Sequence, residues 1–248
     1  MIEIRGLRKR LGVKQVLDGV DLDIGTGETV VVLGPSGTGK SVLLKHILGL
    51  MRPDEGSIEV DGEQVVGRRE RDLNVIRRGF GMLFQGAALF DSLTVGENVA
   101  LALREHTRMT EDEIRRRVEE RLEWVGLGHI EAMRTSSLSG GMRKRVGLAR
   151  AVVMDPRFIL YDEPTTGLDP IMADVIDQLI RSLQKRMGVT SIVVTHDLKS
   201  AFKVGDRLAM LLGGRIIIEG TPAEWQASDD PVVRQFMEGT SEGPIQPV

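Results

Sequence analysis

Residues 34–41 read Gly34-Pro35-Ser36-Gly37-Thr38-Gly39-Lys40-Ser41, which matches the phosphate-loop pattern G-x-x-x-x-G-K-[ST]. Glycines in this pattern let backbone N–H groups turn toward an anionic phosphate chain, and the following helix adds its positive dipole end. The lysine reaches the β- and γ-phosphates, and the serine hydroxyl ligates Mg²⁺. The loop therefore predicts a site for a nucleotide phosphate with Mg²⁺.

The residues on either side of the loop favour the strand–loop–helix order that such a site needs. Val30 to Leu33 is a β-branched apolar run, typical of a buried parallel strand, and apolar residues within 41–49 recur at helical spacing. Further buried strands are predicted at Phe158 to Tyr161 and Ile192 to Thr195. Together these elements predict an α/β fold.

Two other regions add to this core. Residues 2–30 and 56–66 read as short antiparallel strands with glycine turns, and residues 89–156 are more helical. In the helical region, Thr110 and Glu113 form a capping box that precedes an apolar helix face.

The composition excludes several classes of function. The chain has 248 residues, a net charge of −3 and no cysteine, so disulfides, thiolate metal sites and cysteine nucleophiles are excluded. Acidic and basic residues are mixed, which disfavours nucleic acid as a partner. Neither a secretory signal nor a run of about 20 apolar residues is found. We expect any role at a membrane to depend on a partner.

Polar residues at the ends of predicted strands are candidates for the chemistry. Asp162 ends a buried strand, which would place its carboxylate near Ser41 and Mg²⁺, and Glu163 could orient or deprotonate the attacking water. His196 follows another strand and could bring an imidazole to the γ-phosphate, and Gln85 could touch Mg²⁺ or water. Taken singly, each has a structural alternative, such as an acidic pair that caps a loop.

Other motifs carry a resemblance to a known family. Leu138-Ser139-Gly140-Gly141-Met142 resembles the LSGGQ signature of ABC ATPases, with Met142 in place of glutamine. Residues 158–164 resemble the Walker B strand and residues 167–170 the D-loop, while Gln85 resembles the Q-loop glutamine and His196 the switch histidine. The motifs stand in family order, and the resemblance covers essentially the whole chain.

This resemblance implies a P-loop NTPase (RecA-like) core with an N-terminal antiparallel β subdomain and an inserted α-helical subdomain. One ABC ATPase domain, 1–248, is expected, with its nucleotide-binding core at 1–88 and 157–220. The helical signature subdomain would occupy 89–156 and a C-terminal extension 221–248. The resemblance further implies ATP hydrolysis with ATP and Mg²⁺ as cofactors at the interface of a homodimer.

The site residues follow motif by motif. Catalytic roles are implied for Lys40, Gln85, Glu163 and His196, and magnesium ligation for Ser41, Gln85 and Asp162. Ser139, Gly140, Gly141 and Asp169 would act on the nucleotide held by the second subunit. Nucleotide binding is assigned to Gly34, Pro35, Ser36, Gly37, Thr38, Gly39, Lys40, Ser41 and Val42, with Leu11 and Val16.

One family feature is missing from the sequence. Many ABC ATPases stack the adenine on an aromatic near the N-terminus, but the matching place is Leu11-Gly12 and the first aromatic of this chain is Phe80. We expect an aliphatic base contact from Leu11 or Val16 and a weakened preference for adenine over guanine.

Residues 81–107 and 231–245 more specifically resemble the MlaF-type ATPases of bacterial MCE-type (Mla) phospholipid transporters. This implies an MlaE-like integral membrane permease, an MlaD-like MCE lipid-binding protein and, in some systems, an MlaB-like STAS protein as partners. The chain would then lie at the cytoplasmic face of the bacterial inner membrane. In the loop after Gln85, residues 87–90 are predicted to form an exposed docking patch for a permease helix.

Other functions stay open at this point. The chain could power a different ABC importer or exporter, of a solute or a drug. A chromosome-maintenance ATPase is disfavoured because no sustained heptads occur. A regulatory module that binds ATP without hydrolysis is disfavoured by the intact Lys40, Asp162, Glu163 and His196. The sequence does not determine the lipid or the direction of transport.

Overall fold

The computed structural model describes residues 1–245, so the end of the predicted C-terminal extension, 246–248, lies outside the described residues. The described chain folds into two β-sheets with flanking helices. The strands are β1 (Ile2–Leu11), β2 (Lys14–Ile24), β3 (Thr29–Leu33), β4 (Glu55–Val60), β5 (Glu63–Gln64), β6 (Phe80–Leu83), β7 (Phe158–Asp162), β8 (Thr190–Thr195), β9 (Arg207–Leu212) and β10 (Arg215–Gly220). The helices are α1 (Lys40–Ile47), α2 (Glu70–Arg77), α3 (Val95–His106), α4 (Glu111–Trp124), α5 (Gly140–Val152), α6 (Pro170–Met187), α7 (Leu198–Val204), α8 (Pro222–Gln226) and α9 (Pro231–Glu238), with a 3-10 turn at Thr135–Ser137.

The larger sheet carries the phosphate loop. Its strands run in the order β10-β9-β3-β8-β7-β6, and β3 pairs in parallel with β8 and β9. Every residue of β3 is buried: Val30 and Val32 face one hydrophobic core, and Val31 and Leu33 face the other. The predicted buried parallel strands are confirmed. Since parallel strands end at the same edge, the loops after β3, β6, β7 and β8 meet there.

The smaller sheet is antiparallel, in the order β2-β1-β4-β5, as predicted for the N-terminal region. Its first two strands form a long hairpin that ends where Leu11 pairs with Lys14. Lys14 Nζ donates a hydrogen bond to the carbonyl oxygen of Gly37, at 3.4 Å, so the hairpin tip lies beside the phosphate loop.

Helices α3, α4 and α5 fall within residues 89–156. The predicted capping box at Thr110 and Glu113 is present, and the following helix buries Ile114, Val118 and Leu122. These apolar residues join the hydrophobic core on one side of the large sheet. The division of the chain into subdomains at these boundaries stays a prediction. Among residues 1–245, no helix combines the length and apolarity needed to cross a membrane.

Candidate nucleotide-binding site

The loop between β3 and α1 has backbone that requires glycine at two positions. Gly34 has φ +157°, and a Cβ there would lie 2.4 Å from the carbonyl oxygen of Leu211. Gly39 has φ +104°, and a Cβ there would lie 2.8 Å from Val16 Cγ1. Any side chain would therefore collide with the neighbouring strands. The two glycines let the loop fold tightly over the end of the sheet.

Lys40 is buried at the start of α1, and its ammonium lies inside the loop. It donates hydrogen bonds to the carbonyl oxygens of Gly34, at 2.7 Å, and Pro35, at 3.0 Å. Its Nζ also lies 3.6 Å from Glu163 Oε1. Burial lowers the pKa of Lys40, and the Glu163 carboxylate opposes that shift. The ammonium is thus placed where phosphate oxygens could replace its carbonyl partners.

Ser41 and Asp162 form the pair to which Mg²⁺ was assigned. Ser41 Oγ donates a hydrogen bond to Asp162 Oδ1 at 2.8 Å. Burial raises the pKa of Asp162, which is 9% exposed, while the bond from Ser41 opposes that shift. A cation would stabilise the charged form of this buried carboxylate, so the pair fits Mg²⁺. The described chain has no cluster of three or more His, Asp or Glu that could hold a metal, so Mg²⁺ at this pair would keep water or phosphate oxygens as further ligands.

Glu163 is fixed by contacts to both its backbone and its carboxylate. Its backbone is left-handed, with φ +47°. Its N–H donates to the carbonyl oxygen of Val194 at 2.9 Å, and its own carbonyl accepts from Lys144 Nζ at 3.0 Å. Glu163 Oε2 accepts from Thr166 Oγ1 at 3.1 Å and lies 2.9 Å from His196 Nδ1. A carboxylate held in this way suits the orientation of a water molecule.

The structure brings most of the predicted residues into one cleft of about 430 Å³. Gln85, after β6, and His196, after β8, both reach it. Asp162 is connected to the cleft by its hydrogen bond from Ser41. Gly34, Pro35 and Thr38 belong to the phosphate loop, in which Thr38 donates a hydrogen bond to the carbonyl oxygen of Pro35. The predicted residues that line the cleft are Leu11, Val16, Ser36, Gly37, Gly39, Lys40, Ser41, Val42, Gln85, Glu163 and His196.

The residues predicted to act on the second subunit's nucleotide do not line this cleft. Ser139 caps α5, where its Oγ accepts from the N–H of Met142, and Asp169 caps α6. The two helix N-termini pack closely together: a Cβ added to Gly141 would lie only 2.5 Å from Met172 Cε. Gly140 is exposed beside them. Ser139, Gly140 and Asp169 are therefore exposed on a surface apart from the cleft, with Gly141 buried beside them, and their action on a second subunit's nucleotide stays a prediction.

The loop after Gln85 differs in one respect from the prediction. Residues 87–90 were expected to form one exposed patch, but Ala87 is buried, with 1% of its surface exposed. Its left-handed backbone, φ +61°, turns it toward α5, where a Cβ on Gly147 would lie 3.4 Å from Ala87 Cβ. Phe90 is 52% exposed, and Phe84 joins it at 38%. The exposed apolar surface therefore includes Phe84 and excludes Ala87, while Leu89 is half-buried against the core.

Sequence reasoning did not identify Lys144. It is 4% exposed, and it donates to the carbonyl oxygens of Gln85, at 2.5 Å, and Glu163, at 3.0 Å. Burial lowers the pKa of Lys144 to about 8, against the opposing charges of two nearby carboxylates. The available signal was its position in α5, because Lys144 shares a helix face with buried Gly141, Leu148 and Ala151.

Comparison with known proteins establishes the family. A model of the ABC transporter family matches residues 17–166, and the chain belongs to that family. It is 47% identical to the probable ribonucleotide transport ATP-binding protein mkl of Mycobacterium leprae, over 98% of this chain and 70% of that protein. It is 40% identical to the intermembrane phospholipid transport system ATP-binding protein MlaF of Haemophilus influenzae, over 99% of this chain and 93% of that protein.

A solved relative agrees with this assignment. The fold is similar to a dimeric ATP-binding cassette in a post-hydrolysis state with bound ADP and phosphate, at a TM-score of 0.83 and 35% identity. The match covers 90% of this chain and 99% of the other. The chain is therefore an ATP-binding subunit of the ABC type, and the predicted P-loop core with an antiparallel β-sheet and added helices is confirmed.

The part of the cleft predicted to contact the nucleotide base leads to a prediction about the preference for ATP over GTP. Leu11 and Val16 line it, and no Phe, Tyr or Trp does so within the described chain. Base–aromatic stacking contributes about 1–3 kcal/mol, and aliphatic contacts do not read the hydrogen-bonding edge of a base. We expect kcat/KM for ATP and GTP to agree within about tenfold. Steady-state phosphate release with each nucleotide measures this, and a much larger ATP preference would contradict it.

A matched variant separates stacking from other causes. Leu11→Tyr places an aromatic at the hairpin tip beside the loop, where Leu11 is 42% exposed and has room for the larger ring. The Kd for ATP should fall at least about fivefold, in line with the stacking energy. An unchanged Kd would show that this position does not face the base.

Proposed function

We propose that this chain hydrolyses MgATP at two composite sites in a homodimer and thereby powers phospholipid transport through a membrane permease. The observation that carries the hydrolysis is the geometry around Glu163, whose carboxylate lies beside Lys40 and His196 in the cleft that holds the phosphate loop. The likeness to MlaF over nearly the whole chain supports the transport role.

Each side chain has a separate task in the proposed reaction. Lys40 exchanges its carbonyl partners for β- and γ-phosphate oxygens and neutralises their charge. Ser41, Asp162 and Gln85 would hold Mg²⁺, which supplies charge neutralisation at the phosphates when bound. Glu163 accepts a hydrogen bond from the attacking water and aligns it with the γ-phosphorus. His196 contacts the γ-phosphate and also holds the Glu163 carboxylate.

The homodimer is proposed because each copy carries one phosphate loop and one Ser139–Gly141 turn, on different surfaces. A second copy, placed head to tail, would bring its Ser139, Gly140, Gly141 and Asp169 to the γ-phosphate side of the cleft. Ile171, beside Asp169, is 78% exposed, and an apolar residue there suits burial against a partner. The dimeric form of the solved cassette supports this arrangement.

Cross-linking tests the dimer directly, because the chain has no cysteine of its own. A double variant, Ser36→Cys with Met142→Cys, places one thiol on the phosphate loop, at an exposed and nearly isosteric position, and one beside the Ser139 turn. In a head-to-tail dimer these thiols of opposite subunits approach each other, so oxidation with MgATP should give a covalent dimer on denaturing gels.

The single-cysteine variants serve as controls, since a head-to-tail contact pairs different residues and leaves each thiol alone. Cross-linking of either single variant, or an ATP-independent double-variant product, would contradict the proposed interface.

A second cleft supports docking of the permease. It has a volume of about 700 Å³ and lies between α2, β6, the loop after β6, α3 and α5. Phe84, Phe90 and Met82 line it, with Arg77 and Arg150 at its polar parts. An apolar groove of this shape suits an amphipathic helix from an integral membrane protein. We place the chain, through this contact, at the cytoplasmic face of the bacterial inner membrane.

A second candidate cargo comes from the relative mkl, whose name describes ribonucleotide transport. The two alternatives share the ATPase and differ in the permease. Affinity capture of the tagged chain from its native membranes, with mass spectrometry, distinguishes them. We expect an MlaE-like permease with an MlaD-like MCE protein, and in some systems an MlaB-like STAS protein. Recovery of a solute or drug permease instead would contradict the phospholipid assignment and leave the ATPase intact.

Two surface variants make this capture specific. Phe90→Glu places a charge in the docking cleft and should abolish permease recovery without changing ATP hydrolysis by the isolated chain. Ile217→Glu is the matched control, because Ile217 is 41% exposed on β10, and no residue of β10 lines the cleft. If both variants recover the permease equally, the docking site lies elsewhere.

A further inference from the structure

We propose that Lys144 is a positioning residue for ATP hydrolysis, which ties the Gln85 loop and the Glu163 backbone to helix α5. This inference rests on the proposed function, because it assumes that Glu163 orients the attacking water. Its two partners, Gln85 and Glu163, come from distant parts of the chain, and the single ammonium group of Lys144 joins them.

The contacts of Lys144 are unusual for a buried lysine. Both hydrogen-bond partners of its Nζ are backbone carbonyl oxygens, at 2.5 Å for Gln85 and 3.0 Å for Glu163. Burial of an ammonium group is unfavourable, neutral carbonyls compensate for it less well than a directly paired carboxylate does, and the nearby charges of Asp162 and Glu163 compensate only in part. Folding stability alone would favour an apolar side chain of similar length at this position. The retained charge therefore points to a role in the site that Lys144 contacts.

Lys144 completes the support of the Glu163 backbone. The Glu163 N–H is held by Val194 on β8, at 2.9 Å, and Lys144 holds the carbonyl of the same residue. Because Glu163 has φ +47°, a conformation that is unfavourable for a residue with a side chain, the surrounding contacts must maintain it. Loss of the Lys144 contact would release the Glu163 carbonyl, and the Glu163 carboxylate could then move away from the attacking water.

The same side chain connects the two halves of a composite site. Helix α5 begins at the Ser139 cap, which is proposed to close on the partner's nucleotide, and Lys144 lies little more than one turn further along. Gln85 and Glu163 both line the chain's own nucleotide cleft. A shift of α5 on dimer closure would therefore move the carbonyl contacts of the chain's own site. Lys144 would make hydrolysis at one site sensitive to the position of the helix that serves the other.

The test compares Lys144→Met and Lys144→Arg with Arg121→Met as a matched control. Arg121 is 3% exposed, donates to the carbonyl of Val152 on α5 and pairs with Asp155 and Glu120, but it does not line the nucleotide cleft. For Lys144→Met we expect kcat to fall about 30- to 100-fold, the size of effect that lost positioning produces, with the Kd for ATP within about threefold. Lys144→Arg retains donors for both carbonyls, so its kcat should be at least about tenfold higher than that of Lys144→Met.

Thermal unfolding of each variant separates positioning from stability. Arg121→Met should lower Tm while keeping kcat per folded molecule within about twofold. If Lys144→Met keeps the wild-type kcat, or loses activity only in proportion to folded protein, the inference is overturned. The proposed function then still stands provided Glu163→Gln is inactive. Wild-type turnover by Glu163→Gln would instead overturn the proposed function itself.

Discussion

Replacement of Glu163 by glutamine should lower kcat for ATP hydrolysis about 10³-fold, the range expected when a positioned acid–base group is lost. Glutamine preserves the length of the side chain and its hydrogen bonds to Thr166 and His196, but it has no negative charge with which to activate water. The Kd for ATP should change less than about threefold, because Lys40 and the phosphate loop remain intact.

The loss of hydrolysis in Glu163→Gln should leave an ATP-bound dimer that does not dissociate. With hydrolysis blocked, ATP should hold two copies together, so size-exclusion chromatography with MgATP should show a dimer for Glu163→Gln and mostly monomer without nucleotide. Glu113→Gln is the isosteric control, since that residue belongs to a helix capping box that accepts glutamine equally well. Wild-type turnover by Glu163→Gln would remove this residue from the mechanism.

Replacement of Lys40 by alanine should produce the opposite pattern: ATP binding itself should weaken, and hydrolysis should be lost because ATP is not bound. Charge-assisted hydrogen bonds contribute about 1.5–3 kcal/mol each, so the Kd for ATP should rise at least about 30-fold and hydrolysis should disappear at ordinary ATP concentrations. Isothermal titration with a nonhydrolysable ATP analogue measures this directly.

The structure also predicts how the free Lys40→Ala protein behaves. Removal of Lys40 leaves the carbonyl oxygens of Gly34 and Pro35 without this donor, but it also removes a buried ammonium group whose pKa burial lowers. These effects on stability oppose each other, so Tm should change little. A folded variant that binds the analogue as tightly as the wild type does would show that Lys40 does not contact phosphate.

Much of the site could be predicted because its chemistry depends on short local patterns. The phosphate loop is eight consecutive residues, and Asp162, Glu163 and His196 follow apolar runs that are readable as strands. Parallel strands place their carboxyl ends at one edge, so the meeting of Ser41 with Asp162 followed from the fold class alone.

What could not be predicted depends on contacts between distant segments. A lysine in a helix with many charged residues reads as a surface residue, so the burial of Lys144 against two carbonyls is visible only in the fold. Ala87 was predicted to be exposed with its apolar neighbours, because the surrounding sequence does not indicate the left-handed backbone that turns it inward. In both cases helix α5 decides the outcome, by packing against β6 and the loop that follows it.

Strand β3 belongs to both hydrophobic cores, since successive side chains enter opposite layers. Its amide protons should exchange with solvent only when both layers open together, which makes them reporters of global unfolding. By mass action, nucleotide bound at the end of this strand lowers the population of those opened forms that lose the binding site. Ligand occupancy would therefore slow hydrogen exchange far from the cleft, in both layers, without any change in the average conformation there.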